Sequence, residues 1–166
     1  MLPWYALHVA SNTESQVVDR LSDARIDSFF PHVMAKSRDK RRDISRKFFP
    51  GYVFANFDLA ERTPVIRIPQ VISILGCAHS PAIIPTSEVD AIRTMTLFAT
   101  ADVTACPYVA AGEQIRIMCG PLVGLEGYVI EMKGEALVVV SVTMFQRSIR
   151  TRVAIEDIQV IERKAA

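Results

Sequence analysis

The sequence predicts an α+β protein in two parts: an N-terminal α/β sandwich, about four antiparallel strands with helices on the sheet, then a small all-β barrel. Three observations predict it. Strand-like and helix-like segments alternate up to about residue 98, a stretch of small residues without periodicity follows, and beyond residue 111 only short strand-like runs remain.

Residues 4–9, WYALHV, read as the first strand. The tetrad Ser11-Asn12-Thr13-Glu14 has the S-x-x-E form in which Ser and Glu satisfy the free amides of a helix start, so a helix is expected to follow. Val17, Leu21 and Ala24 recur at i, i+4 and i+7 and give that helix an apolar stripe. Residues 26–33 read as a short extended piece, 48–57 as the third strand and 71–75 as the fourth. Pro85-Thr86-Ser87-Glu88 opens a second helix with Val89, Ile92 and Met95 on its apolar side and acidic residues near its positive end. The segment ATADVTACPYVAA breaks the pattern, so the expected division is 1–98, a linker at 99–110 and a second domain at 111–166. In the latter, strands are expected at 114–118, 127–132, 136–142, 147–153 and 158–161, with Lys133-Gly134-Glu135 as a hairpin turn.

Half the chain is apolar and 22% is charged, the balance of a globular protein. No run approaches the roughly eighteen apolar residues of a membrane span. The N-terminus has neither the basic start nor the small-residue cleavage site of a signal peptide, and the expected location is the cytoplasm. Cys77, Cys106 and Cys119 are odd in number and widely spaced, which fits neither a disulfide framework nor a zinc site.

Two stretches stand out. RKFFPGYVFANFD packs Phe48, Phe49, Tyr52, Phe54 and Phe57 into ten positions. In a strand, Tyr52 and Phe54 point one way while Val53, Ala55 and Phe57 point the other, so both faces are apolar. Two helices can cover one face, which is expected to leave the other partly open, with Tyr52, Phe54, His8 and Trp4 as an aromatic patch. Periodicity alone leaves docking surface and ordinary core both open. The second stretch, KSRDKRRDISRK, sets Lys36, Arg38, Lys40, Arg41, Arg42, Arg46 and Lys47 against Asp39 and Asp43, a local excess of five positive charges in a chain of net charge +1. It reads as a loop between strands, either a solvated charge run or a nucleic-acid contact.

Taken together, WYALHVASNTE, RKFFPGYVFANFD, PAIIPTSEVDAI and the KOW-type segment VAAGEQIRIMCGPLVGLEGYVIEM resemble the NusG family of transcription elongation factors over nearly the whole chain. Gly120, Gly124 and Gly127 suit a loop that needs positive φ or close backbone approach. The resemblance implies an N-terminal NGN domain of α/β sandwich type, a flexible linker and a KOW domain with an SH3-like barrel. It also implies a bacterial, monomeric, non-enzymatic factor without cofactor or metal. Its aromatic face would pack on the clamp helices of the RNA polymerase β′ subunit and suppress pausing. On this chain the matching positions are His8, Tyr52 and Phe54, with Trp4, Ile74 and Cys77 near them. The basic loop would lie beside upstream or non-template DNA.

In the family the KOW domain binds termination factor Rho or a small-subunit ribosomal protein. The corresponding regions here read GPLVG and VTMFQR, making Leu122, Phe145 and Arg147 the candidate partner surface, with Phe145 as barrel filling the open alternative. Leu122 stands where the general factor usually has Phe and Gln146 where it usually has Gly. These departures, with VVVSVTMFQRS, resemble specialised paralogs of the UpxY group that act as operon-specific antiterminators. The housekeeping factor is the alternative. Val138, Val139, Val140, Val142 and Val153 disfavour helix and predict a barrel that keeps its fold.

The sequence offers little to an enzyme. His8, His32 and His79 lack metal-ligand spacing, and GPLVGLEG lacks the G-K-[ST] of a phosphate loop. A KOW-type ribosomal or RNA-binding protein is the remaining alternative, but such proteins are strongly basic. Here the barrel half sets seven basic residues against seven acidic ones from Glu113 onwards.

Overall fold

A computed structural model describes residues 2–36, 43–77, 80–97, 104–107, 112–133, 135–142 and 147–162. The chain divides into two compact units, Met1–Val89 and Asp90–Ala166. Of the stretch expected as a linker, 99–103 and 108–110 lie outside the described residues.

The first unit contains β1 (Trp4–Val9), α1 (Glu14–Asp23), β2 (Asp27–Phe29), β3 (His32–Lys36), β4 (Asp43–Lys47) and β5 (Tyr52–Asn56). A 3-10 turn at Leu59–Glu61, α2 (Thr63–Ile66), β6 (Val71–Ile74), β7 (Gly76–Cys77), β8 (Ser80–Pro81) and β9 (Ile83–Ile84) follow, and α3 (Thr86–Leu97) runs across the division between the units. The main sheet runs β2-β5-β1-β6, with β9 also paired to β1, and every pairing is antiparallel. It therefore has five strands rather than four. The fifth, β9, is two residues long, too short to carry an alternation pattern.

Tyr5, Leu7 and Val9 of β1 and Val53 and Ala55 of β5, with Phe57 just beyond it, face Val17 and Leu21 of α1 in one buried cluster. Ala24 is not part of that stripe: α1 ends at Asp23 and Ala24 is its exposed C-cap. Arg25 takes a left-handed φ of 59°, its N–H bonds the Ser22 carbonyl at 2.8 Å, and the Ile26 N–H bonds that of Leu21 at 2.9 Å. This paired closure ends the helix and sends Ile26 back onto the core. The expected capping box is also absent. Thr13 is the N-cap, its hydroxyl donates to the Ala10 carbonyl at 2.7 Å, and Glu14 turns inward instead.

The opposite face of the sheet is not an open patch. Trp4 is 5% exposed and Ala6 and Phe54 are 0% exposed. Residues 43–47 of the expected basic loop form β4, paired with β3 from His32↔Lys47 to Lys36↔Asp43, so both described ends of the basic run lie in paired strands, while 37–42 lie outside the described residues.

The second unit contains β10 (Thr104–Pro107), β11 (Glu113–Ile117), β12 (Glu126–Lys133), β13 (Glu135–Val142), β14 (Arg147–Ala154), a 3-10 turn at Ile155–Asp157 and β15 (Ile158–Glu162). They form one antiparallel sheet ordered β10-β14-β13-β12-β11-β15. Ile115, Ile117, Leu125, Val129, Val138 and Ile149 are buried. The five expected strands are all present. β10, inside the expected linker, is additional: Pro107 hides it from propensity, yet proline is tolerated on an edge strand, and β10 sits at the sheet edge against β14. Gly120 and Gly124 take φ of 83° and 84° in the β11–β12 loop, whereas Gly127 lies in β12 opposite Ile115.

Candidate docking face and basic hairpin

The β1–β5 ladder places His8 opposite Tyr52 and Ala6 opposite Phe54, and the β2–β5 ladder places Phe29 opposite Phe54. Directly opposed residues share a face. Small Ala6 leaves room for rings on either side. Trp4 and Phe29 meet edge-on at 5.9 Å, Phe29 stacks on Phe54 at 5.3 Å, and Phe49 meets Phe54 edge-on at 5.8 Å. At one end of this layer the His8 and Tyr52 rings lie 5.4 Å apart, and both residues are half-buried.

This geometry divides the residues expected to form one patch. His8 and Tyr52 keep exposed surface, while Trp4 and Phe54, farther along the same face, are buried, with Phe29 packed against both rings and Phe49 against Phe54. Ile74 is on the opposite face. It pairs with Leu7, one position along β1 from His8, and packs on the cluster beneath α1. Ser73, not Ile74, is the residue opposite His8 on β6. Cys77 lies on β7, opposite Ser80.

The turn leading into Tyr52 is held by a residue that sequence reasoning assigned to a helix cap. Glu14, only 2% exposed, accepts a hydrogen bond from Lys47 Nζ at 2.7 Å through Oε2 and one from the Gly51 amide at 2.9 Å through Oε1. Lys47 Nζ also reaches Asn12 Oδ1 at 3.0 Å. Burial pushes the Glu14 carboxyl up, but the Lys47 and Gly51 hydrogen bonds and the Lys47 charge outweigh it and hold the group below its ordinary value. Gly51 itself has φ 80°, a conformation that favours glycine, and its carbonyl accepts from Val9 N–H at 2.9 Å. The available signal was an acidic residue at a helix start 37 positions from a glycine, which no local pattern links.

Lys47 is therefore engaged with Glu14 rather than offered to a polyanion, its side chain 20% exposed. Arg46 on β4 is exposed, and Lys36 is at the far end of the β3 ladder. Arg38, Lys40, Arg41 and Arg42 lie outside the described residues, as does Phe145. Leu122 is half-buried in the β11–β12 loop beside exposed Val123, and Arg147 begins β14. Among the described residues, no group of three or more His, Cys, Asp or Glu is placed to hold a metal, and no helix is long and apolar enough to cross a membrane.

The chain is similar to known proteins along most of its length. The family model described as Transcription termination factor nusG matches residues 2–93. The transcription termination/antitermination protein NusG of Pseudomonas aeruginosa is 30% identical, covering 95% of this chain and 96% of that one. The protein of the same name from Treponema pallidum is 32% identical with the same coverage of both chains. A solved structure of domain interaction in Thermotoga maritima NusG superposes with a TM-score of 0.51 and 21% identity over 98% of each chain, a likeness of fold. Its NGN-plus-KOW architecture corresponds to the helix-and-sheet first unit and the six-stranded antiparallel sheet of the second. On this sequence match and this fold, the chain belongs to the NusG family of transcription termination/antitermination factors.

Proposed function

We propose that the chain binds RNA polymerase through the His8–Tyr52 end of its first sheet, on the β′ clamp helices, and keeps the enzyme in its processive, pause-resistant state. The observation that carries this reading is the pair itself. Two partly exposed rings 5.4 Å apart lie at one end of a sheet face whose other rings, Trp4, Phe29, Phe54 and Phe49, pack on one another. Aromatic side chains held on a rigid sheet suit a binding hot spot, since little side-chain freedom is lost on docking. A factor of this kind does no chemistry; it shifts the polymerase towards one state by the difference in its affinity for the two.

In this reading residues 1–98 are the polymerase-binding domain and 111–166 the partner-binding domain, and the 99–110 segment between them contributes β10 to the second sheet. The basic hairpin, with exposed Arg46 and the run from Lys36 to Arg42, contacts upstream or non-template DNA through phosphates without reading sequence. Leu122, Phe145 and Arg147 are the candidate KOW surface for Rho or a ribosomal protein. Leu122 in place of an aromatic residue favours an operon-specific antiterminator over a housekeeping factor.

The test is retention of core RNA polymerase on the immobilised full chain. Wild type is expected to retain it and a His8→Ala, Tyr52→Ser variant to lose it. Polymerase that elutes equally from both overturns the docking assignment. Transcript profiling after deletion of the gene separates the two subtypes: loss of distal transcription in one or a few operons supports the antiterminator, and genome-wide change supports the housekeeping factor.

A further inference from the structure

We propose that Glu14 is a positioning residue: with one buried carboxylate it fixes both the turn that presents the His8–Tyr52 pair and the base of the basic hairpin β3–β4. The proposal rests on the docking reading above for its consequence in binding, but not for its structural content.

A glutamate at the first position of a helix is ordinarily solvated, where it suits the helix dipole. Glu14 instead is buried, which is costly unless every oxygen finds a partner. Its partners, Lys47 and Gly51, bracket the turn between β4 and β5. Phe48 and Phe49 inside that turn are buried, and the Phe48 N–H donates to the Pro31 carbonyl at 3.0 Å. The turn is thus gripped from α1 by Glu14, from β1 by Val9 N–H on the Gly51 carbonyl, and from the start of the hairpin by Pro31.

Both candidate contacts leave from this grip. Tyr52 directly follows Gly51, and a Cβ placed on Gly51 would lie 3.9 Å from His8 Cδ2, so a shift of the turn changes the spacing of Tyr52 and His8. Lys47 closes the β3–β4 ladder opposite His32, so its tether to Glu14 and Asn12 sets where the hairpin leaves the unit. Charge-assisted hydrogen bonds of this length are the strong kind, and neither partner can be replaced by water in a buried site without loss.

The experiment compares the full-length wild type with Glu14→Gln, Lys47→Met and Lys47→Arg, reading amide hydrogen exchange residue by residue and polymerase retention in parallel. Loss of one charge-assisted bond predicts exchange about tenfold faster or more at Gly51, Val9 and the β3–β4 ladder in Glu14→Gln. Leu21 in α1 and the β2–β5 ladder are expected to stay protected. Lys47→Met, which leaves the buried Glu14 carboxylate without its counter-charge, gives the same pattern at least as strongly, and Lys47→Arg restores protection. Unchanged exchange at Gly51 and Val9, or a uniform rise that includes Leu21, overturns the proposal. Retention is expected to fall in Glu14→Gln and to recover in Lys47→Arg; a local rise in exchange with unchanged retention overturns the link to docking. If wild type itself retains no polymerase, the docking reading fails, and the exchange pattern alone decides whether Glu14 positions the turn.

Discussion

Phe29 and Phe54 lie opposite each other across the β2–β5 ladder with rings stacked at 5.3 Å, and Phe54 has no exposed surface. Phe54 therefore belongs to the buried part of the face that carries His8 and Tyr52, not to its exposed surface. Phe54→Ala removes a buried ring and leaves a cavity, with an expected loss of about 3–5 kcal/mol in urea unfolding. Tyr52→Ser, at a half-buried position on the same face, is expected to cost clearly less stability while abolishing polymerase retention. Equal destabilisation by the two changes would show that Tyr52 is core as well.

Glu14 gives the fold an acid-sensitive point. Its folded-state pKa is lowered, so the folded protein holds the negative charge more firmly than the unfolded chain does. That contribution is fully present above the unfolded-chain value and is lost as pH falls through the lower folded value. Urea midpoints measured from neutral pH down to about pH 3 should fall more steeply in wild type than in Glu14→Gln. Parallel profiles would show that the carboxylate adds no stability.

Gly76 has φ 122°, and a Cβ built there would stand 2.4 Å from the Ala82 nitrogen. Both the conformation and the space exclude a side chain. Gly76→Ala is expected to destabilise the first unit by at least about 1–3 kcal/mol, seen as a lower thermal midpoint. Nothing lies within 4 Å of a Cβ on Gly124, where φ is 84°, so Gly124→Ala should cost only the conformational part, about 1 kcal/mol.

Arg116 and Glu126 form an ion pair across β11 and β12, but their side chains are 49% and 44% exposed. Arg116→Ala is expected to change stability by about 1 kcal/mol or less. A larger loss in thermal unfolding would mean that the arginine stem packs on the sheet.

Much of this fold is legible in local pattern. The alternation along β1 and β5 assigns Val53, Ala55 and Phe57 to one face and Tyr52 and Phe54 to the other, and the pairing follows that division. The strands of the second unit emerge from β-branched runs between turns. What local pattern misses is what depends on partners distant in sequence. Whether Phe54 is surface or core is decided by Phe29 and Phe49 rather than by its own period. A β-bulge between His8 and Val9 shifts the β6 register and sets Ile74 on the Leu7 face. Glu14 matched a capping motif by sequence, yet Lys47 and Gly51, 33 and 37 residues away, hold it elsewhere.

The central claim is that the His8–Tyr52 face docks RNA polymerase and suppresses pausing. Its most direct test is a single-round transcription time course on a pausing template with the cognate polymerase, comparing wild type with Tyr52→Ser after both are shown to be folded. The account predicts that wild type shortens the pauses and Tyr52→Ser does not. Pausing that wild type leaves unchanged, or that Tyr52→Ser shortens as well as wild type does, would contradict it.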